Sequence, residues 1–287
     1  MQKGIYFRAL TIICAIATAV LASGCVSRPP EYDTTAFGAV GTEADAYIFA
    51  SVSENTSLLQ AILTAFVPEK TAARYLTRTS ALYIGIYREA EPSVTLVSSG
   101  SYPSRMGDLL FSKKDGWEKH RAAALNNRSY YSSSGADIVL REKTAFALLG
   151  GNQRNTTAFL QRIAEPHQPV FPPRFQALGE SGSTDTIGLY TRSGSHLAAA
   201  LLGLEDIELP IKSIELYLKK NTDSVYRCSA VFETTDVRTA LVGRLLLSHS
   251  LNGDFSVQDS SIFVENADIT ETELIKMLQD IFTTYRF

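Results

Sequence analysis

The segment SIELYLKK sets Ile214, Leu216 and Leu218 in the same alternation as Leu82, Ile84 and Ile86 of ALYIGIY, each 132 residues later. Strand residues two apart share a face, so a shared phase means that both segments turn the same set of side chains toward a core. At the same offset Val94 and Leu96 fall on Tyr226 and Cys228, and Leu109 falls on Leu241. Order and phase preserved across several elements point to an internal repeat, which constrains the fold more than any single element does.

Read element by element, AYIFASVS (46–53) is a strand, and Asn55 to Phe66 is a helix with Leu58, Leu59, Ile62, Leu63 and Phe66 on one face. ALYIGIY and VTLVSS pair as a hairpin, Pro103 and Ser104 open a short helix, DIVL and TAFALL form a second hairpin, and a helix follows from Thr156 to Ile163. The second half repeats the series from TIGLYT (186–191) to a final helix whose start carries the capping-box pair Thr270 and Glu273. The expected fold is α+β: two tandem β-α-β-β-α-β-β-α modules over 45–164 and 186–287, each a mainly antiparallel five-stranded sheet with helices on one face. Between them, residues 165–185 hold four prolines followed by Gly179, Ser181, Gly182 and Ser183, a linker composition.

The N-terminus gives the address. Lys3 and Arg8 precede an uncharged run from Ala9 to Leu21, too short to span a bilayer, which needs ~20 apolar residues. Ala22, Ser23 and Gly24 then lead into Cys25, and over about the first 26 residues the chain resembles a bacterial lipoprotein precursor ending in a lipobox. The resemblance implies a signal peptide over 1–24 and acyl chains on Cys25, and so a membrane partner bound through lipid. Val26 rather than Asp after the cysteine favours the outer over the inner membrane. Residues 25–44, with Pro29, Pro30, Gly38 and Gly41, are expected to be a flexible tether. Beyond this segment no family resemblance is read.

Loss of residues 1–24 leaves 25 basic and 30 acidic residues, a formal charge of −5 that disfavours a nucleic-acid partner. Of three cysteines, Cys14 leaves with the signal and Cys25 is acylated, so Cys228 has no disulfide partner and reads as a packed thiol. Serine-nucleophile elbows, S-x-x-K, Walker and dinucleotide-binding motifs do not occur. The histidines His120, His167, His196 and His249 have no partner at ligand spacing, so no catalytic residue, metal site or cofactor is assigned.

The two halves differ most between Phe111 and Asp137, which are 26 positions apart where Leu247 and Asp254 are 7 apart. This insertion places Trp117 among Lys113, Lys114, Lys119 and Arg121. One reading makes this mix a site for an envelope protein or an anionic envelope component; the other packs Trp117 on the domain and leaves the lysines solvated. The expected function is that of a lipid-anchored extracytoplasmic binding or scaffold module. The alternative is an envelope hydrolase or transferase with a site between the modules.

Overall fold

A computed structural model describes residues 36–276 except 65–68, 89–91, 103–106, 152–153, 179–184, 196–209, 223 and 251. The chain divides into two compact units: unit 1 takes the segment up to Ala44 and Ser51–Val170, and unit 2 takes Asp45–Ala50 and Phe171 onward.

Unit 1 contains helices α1 (Ala36–Val40), α2 (Thr56–Thr64), α3 (Glu69–Leu76), α4 (Gly107–Leu110) and α5 (Thr156–Ala164). Its strands are β2 (Thr79–Tyr87), β3 (Ser93–Gly100), β4 (Glu118–Ala122), β5 (Arg128–Ser132), β6 (Ala136–Arg141) and β7 (Thr144–Gly150), in the sheet order β2-β3-β7-β6-β5-β4. Every pairing is antiparallel, with Ile84 opposite Leu96 and Leu96 opposite Ala147.

Helices cover both faces of this sheet, which corrects the expectation of one covered face. Phe37 of α1 meets the Tyr83 ring edge-on at 5.0 Å, the Tyr87 hydroxyl donates to the Val40 carbonyl, and Arg162 of α5 donates to Thr95. Tyr75 of α3 instead bonds Ser98, three residues from Thr95 on the same regular strand and therefore on the opposite face. Between the two tyrosines, Gly85 lets α1 come close: a Cβ there would lie 2.3 Å from Val40 Cγ1. All five residues of α1 are buried, so the tether expected over 25–44 does not extend through this helix. The helix belongs to the core because it closes the tyrosine face of β2.

Unit 2 begins with β1 (Ala46–Ser51), whose first five residues pair antiparallel with β8 (Ile187–Thr191). It continues with α6 (Pro173–Gln176), β9 (Ile211–Thr222), β10 (Val225–Thr234), α7 (Val237–Ser250), β11 (Asp254–Gln258) and β12 (Ser261–Thr270), in the sheet order β11-β12-β10-β9-β8-β1. Here too both faces carry helices. Leu178, just after α6, fills the space over Gly188, whereas α7 lies over Ile262, which aligns across β10 and β9 with Thr191. Gly188 and Thr191 point oppositely. The segment expected as a linker also contributes to packing: Phe175 and Leu178 are buried, and Phe171, Phe175, Tyr190 and Tyr47 form one aromatic cluster.

Candidate functional site

Helix α7 departs from the usual distribution of apolar side chains. Its sequence is VRTALVGRLLLSHS, and it begins where Asp236 Oδ1 accepts from the Thr239 backbone N–H at 3.0 Å. Asp236 Oδ2 also accepts from the Thr239 hydroxyl at 2.9 Å, and the Thr239 bonds, backbone first, hold this carboxyl below the usual carboxylate range.

Only a narrow stripe of the helix is buried. Ala240 and Leu247 face the sheet, and Gly243 between them allows close approach, since a Cβ there would stand 2.8 Å from Ile262 Cδ1. At ~100° per residue the remaining apolar side chains fan over about half the circumference. Val237 is 51% exposed, Leu241 49%, Val242 58%, Leu245 62% and Leu246 38%. Arg238 and Arg244 are exposed on the same helix, which carries no acidic residue. A helix that buries small residues and presents leucine and valine to solvent has a second apolar surface to satisfy. Among the described residues no helix is long and apolar enough to cross a membrane.

The residues singled out from sequence lie elsewhere. Cys25 is outside the described residues. Trp117 is only 2% exposed, with its ring 4.8 Å from Phe111, whose ring in turn lies tilted 4.7 Å from that of Tyr131. It is therefore an interior residue and not an exposed anchor. The cause is local: a turn over Lys113–Asp115, closed by Gly116 at φ 80°, swings the next side chain inward. Lys113, Lys114 and Arg121 are exposed, but Lys119 is paired with Asp108 at 2.6 Å. That bond, with one from Tyr131, keeps the Asp108 carboxyl below its usual range.

Cys228 is buried, and desolvation pushes its thiol up to about 12. A shallow depression in unit 1, with no room for a water molecule, is lined by Leu96, Ser98, Ile138, Ala145, Phe146 and Ala147, with no titratable side chain. Among the described residues no group of three His, Cys, Asp or Glu is placed to hold a metal ion. Sequence reasoning missed α7. Its signal was the pair of apolar runs Leu241–Val242 and Leu245–Leu247, too wide for one buried stripe.

The described residues thus form a mixed protein of antiparallel sheet and helices that carries one outward-facing apolar helix. The family profile described as "Outer membrane-associated lipoprotein TP0453" matches residues 32–275, and the chain belongs to this family. The outer membrane protein TP0453 of Treponema pallidum (strain Nichols) is 26% identical over 250 residues, 86% of this chain and 85% of that one. Two solved structures of TP0453 share the fold. Crystal form III has a TM-score of 0.73 at 25% identity, covering 88% of this chain and 98% of its own. Crystal form I has a TM-score of 0.72 at 24% identity, covering 90% and 99%. The chain is thus an extracytoplasmic lipoprotein of the outer membrane. The match also corrects the reading that only the N-terminal segment has recognisable relatives. That reading relied on short motifs, whereas the family profile spans residues 32–275.

Proposed function

We propose that this lipoprotein is a peripheral membrane module held at the outer membrane by two contacts: acyl chains on Cys25 and the apolar face of α7. The observation that carries the reading is the set of five valine and leucine side chains exposed on one helix of an outer-membrane-associated family member. At ~1.5–3 kcal/mol for full burial of each such side chain, and with about half of each already buried, inserting the face into the interface is worth on the order of 5 kcal/mol. That is weak alone. Joined to a lipid anchor, the contact becomes intramolecular, with an effective concentration in the millimolar range. Ala36 lies eleven positions after Cys25, with ten residues between them. They span at most ~40 Å, which keeps the folded chain close to the bilayer.

The tandem-module architecture belongs to the same proposal. The strands β2, β3, β6 and β7 lie in the order β2-β3-β7-β6, and β9, β10, β11 and β12 lie in the order β9-β10-β12-β11. Equal order with equal antiparallel pairing supports two copies of one module, with the β4–β5 hairpin as the insertion of the first.

The test is vesicle flotation of the chain from Val26 onward, which keeps every described residue and lacks the lipid. Binding is expected, and Val242→Ser with Leu245→Ser should abolish it without altering the thermal melt. No flotation of the parent, or equal flotation of the double variant, would overturn the reading. So would a stable dimer in sedimentation that this variant dissociates, because α7 would then be a self-interface.

A further inference from the structure

We infer that α7 selects bilayers rich in anionic, phosphate-bearing lipid headgroups, through Arg238 and Arg244; the inference rests on the membrane reading above. The chain as a whole is acidic, with 27 basic against 30 acidic residues. An acidic protein is repelled from an anionic surface unless its contact face carries the opposite sign. Screening at ~8 Å in physiological salt makes the charges on the contact face decisive, not the total. From Val237 to Ser250 those charges are Arg238 and Arg244, both exposed, with no carboxylate. The nearest acid before the helix, Asp236, falls on the helical projection opposite the exposed apolar arc, where it caps the helix by accepting from the Thr239 N–H and from the hydroxyls of Thr235 and Thr239.

Placement fits the role. On a helical projection Arg238 falls within the exposed apolar arc, between Leu245 and Val242, and Arg244 falls at its edge beside Val237. Arginines so placed lay their methylene stems along the apolar surface and carry their guanidinium groups up to the headgroup level. There the planar fork matches two phosphate oxygens at once. Each basic group near an anionic leaflet is worth ~1 kcal/mol, roughly a five-fold gain in binding.

The experiment compares flotation of the chain from Val26 onward on pure phosphatidylcholine vesicles and on vesicles containing phosphatidylglycerol. The expected result is binding on the order of ten- to thirty-fold tighter to the anionic vesicles, falling toward the neutral level as salt rises. Arg238→Gln with Arg244→Gln should remove this preference, and Arg238→Lys with Arg244→Lys should keep most of it. Equal binding to both compositions, an unchanged Gln variant, or a Lys variant as weak as the Gln variant would overturn the inference while leaving the membrane reading intact. Failure to bind either vesicle would overturn both.

Discussion

Arg154 sets its Nε 2.8 Å from Oδ2 of Asp137, and both side chains are nearly closed to water, 6% and 0% exposed. Asp137 also accepts from Ser132 and Thr156, each at 2.6 Å. Arg154 reaches the Ala136 carbonyl at 3.1 Å and the Gly151 carbonyl at 3.2 Å. The cluster therefore fastens the end of the β4–β5 insertion, the start of β6 and the first turn of α5 to one another. Removing one member of such a pair leaves the other buried and uncompensated, so Arg154→Ala or Asp137→Asn should cost about 3–5 kcal/mol. Urea unfolding checks this. An unchanged midpoint in Arg154→Ala would show that the charge is not confined.

Trp117 offers a test that separates packing from recognition. Because the ring lies inside against Phe111, Trp117→Ala should destabilise the protein by about 3–5 kcal/mol, as large aromatic truncations do. The Lys113 and Lys114 side chains are exposed, and changing them to Gln should leave stability within ~0.5 kcal/mol. Parallel melts of the two variants decide the matter.

What sequence made legible follows from how locally each element is determined. The strands of both hairpins announce themselves by alternation, and the Thr270–Glu273 capping box forms as its spacing predicts, with the Glu273 carboxylate accepting from the Thr270 N–H at 2.9 Å. The 132-residue offset holds only up to the hairpin turn. Ile84 faces Leu96, whereas Leu216 faces Ala230, so beyond the turn the spacing becomes 134. α1 is too short to show a period, and its burial comes from tertiary packing against β2, β3 and α5, which no local pattern shows. The β4 strand, EKHRA, is a charged edge, a composition that protects sheet edges and conceals them from pattern reading. For α7 the pattern misleads. The uncorrected 132-residue offset sets Leu241 on Leu109, yet Leu241 points outward, because a helix apolar on nearly every side does not declare which stripe is buried.

The anchor can be tested without any structure of its segment. If Cys25 carries acyl chains, radiolabelled palmitate should enter the wild type and not Cys25→Ser, and inhibiting the lipoprotein signal peptidase should leave the precursor uncut. Label retained in Cys25→Ser would end this reading.

Acid should loosen two helix starts before it unfolds the protein. The Asp236 and Glu273 carboxyls are both held below their usual range, the first chiefly by the Thr239 N–H and the second chiefly by the Thr270 hydroxyl. A folded-state value depressed below that of the unfolded chain means that the contribution is complete above the unfolded range, about pH 4. It is lost as pH falls through the lower folded values. Amide exchange at Thr239 and Thr270, corrected for intrinsic rates, should therefore be flat from pH 7 to 5 and rise below about 4. A rise already present at pH 6 would exclude these carboxylates as its source.

If the two halves are copies of one module, Ile84 and Leu216 are equivalent positions in different surroundings. Leu216 is 6% exposed, held between Leu189 on β8 and Ala230 on β10, so its truncation leaves a cavity that regular pairing on both sides keeps from collapsing. Ile84 is half-buried and can relax toward solvent. Leu216→Ala should then cost about 2–5 kcal/mol and Ile84→Ala distinctly less, measured as shifts of the urea midpoint at constant slope. The same pair also reports on cooperativity. If the units unfold together, both variants move one transition seen by far-ultraviolet dichroism and by Trp117 fluorescence. If the units unfold separately, Ile84→Ala moves the Trp117 signal of unit 1 and Leu216→Ala leaves it in place.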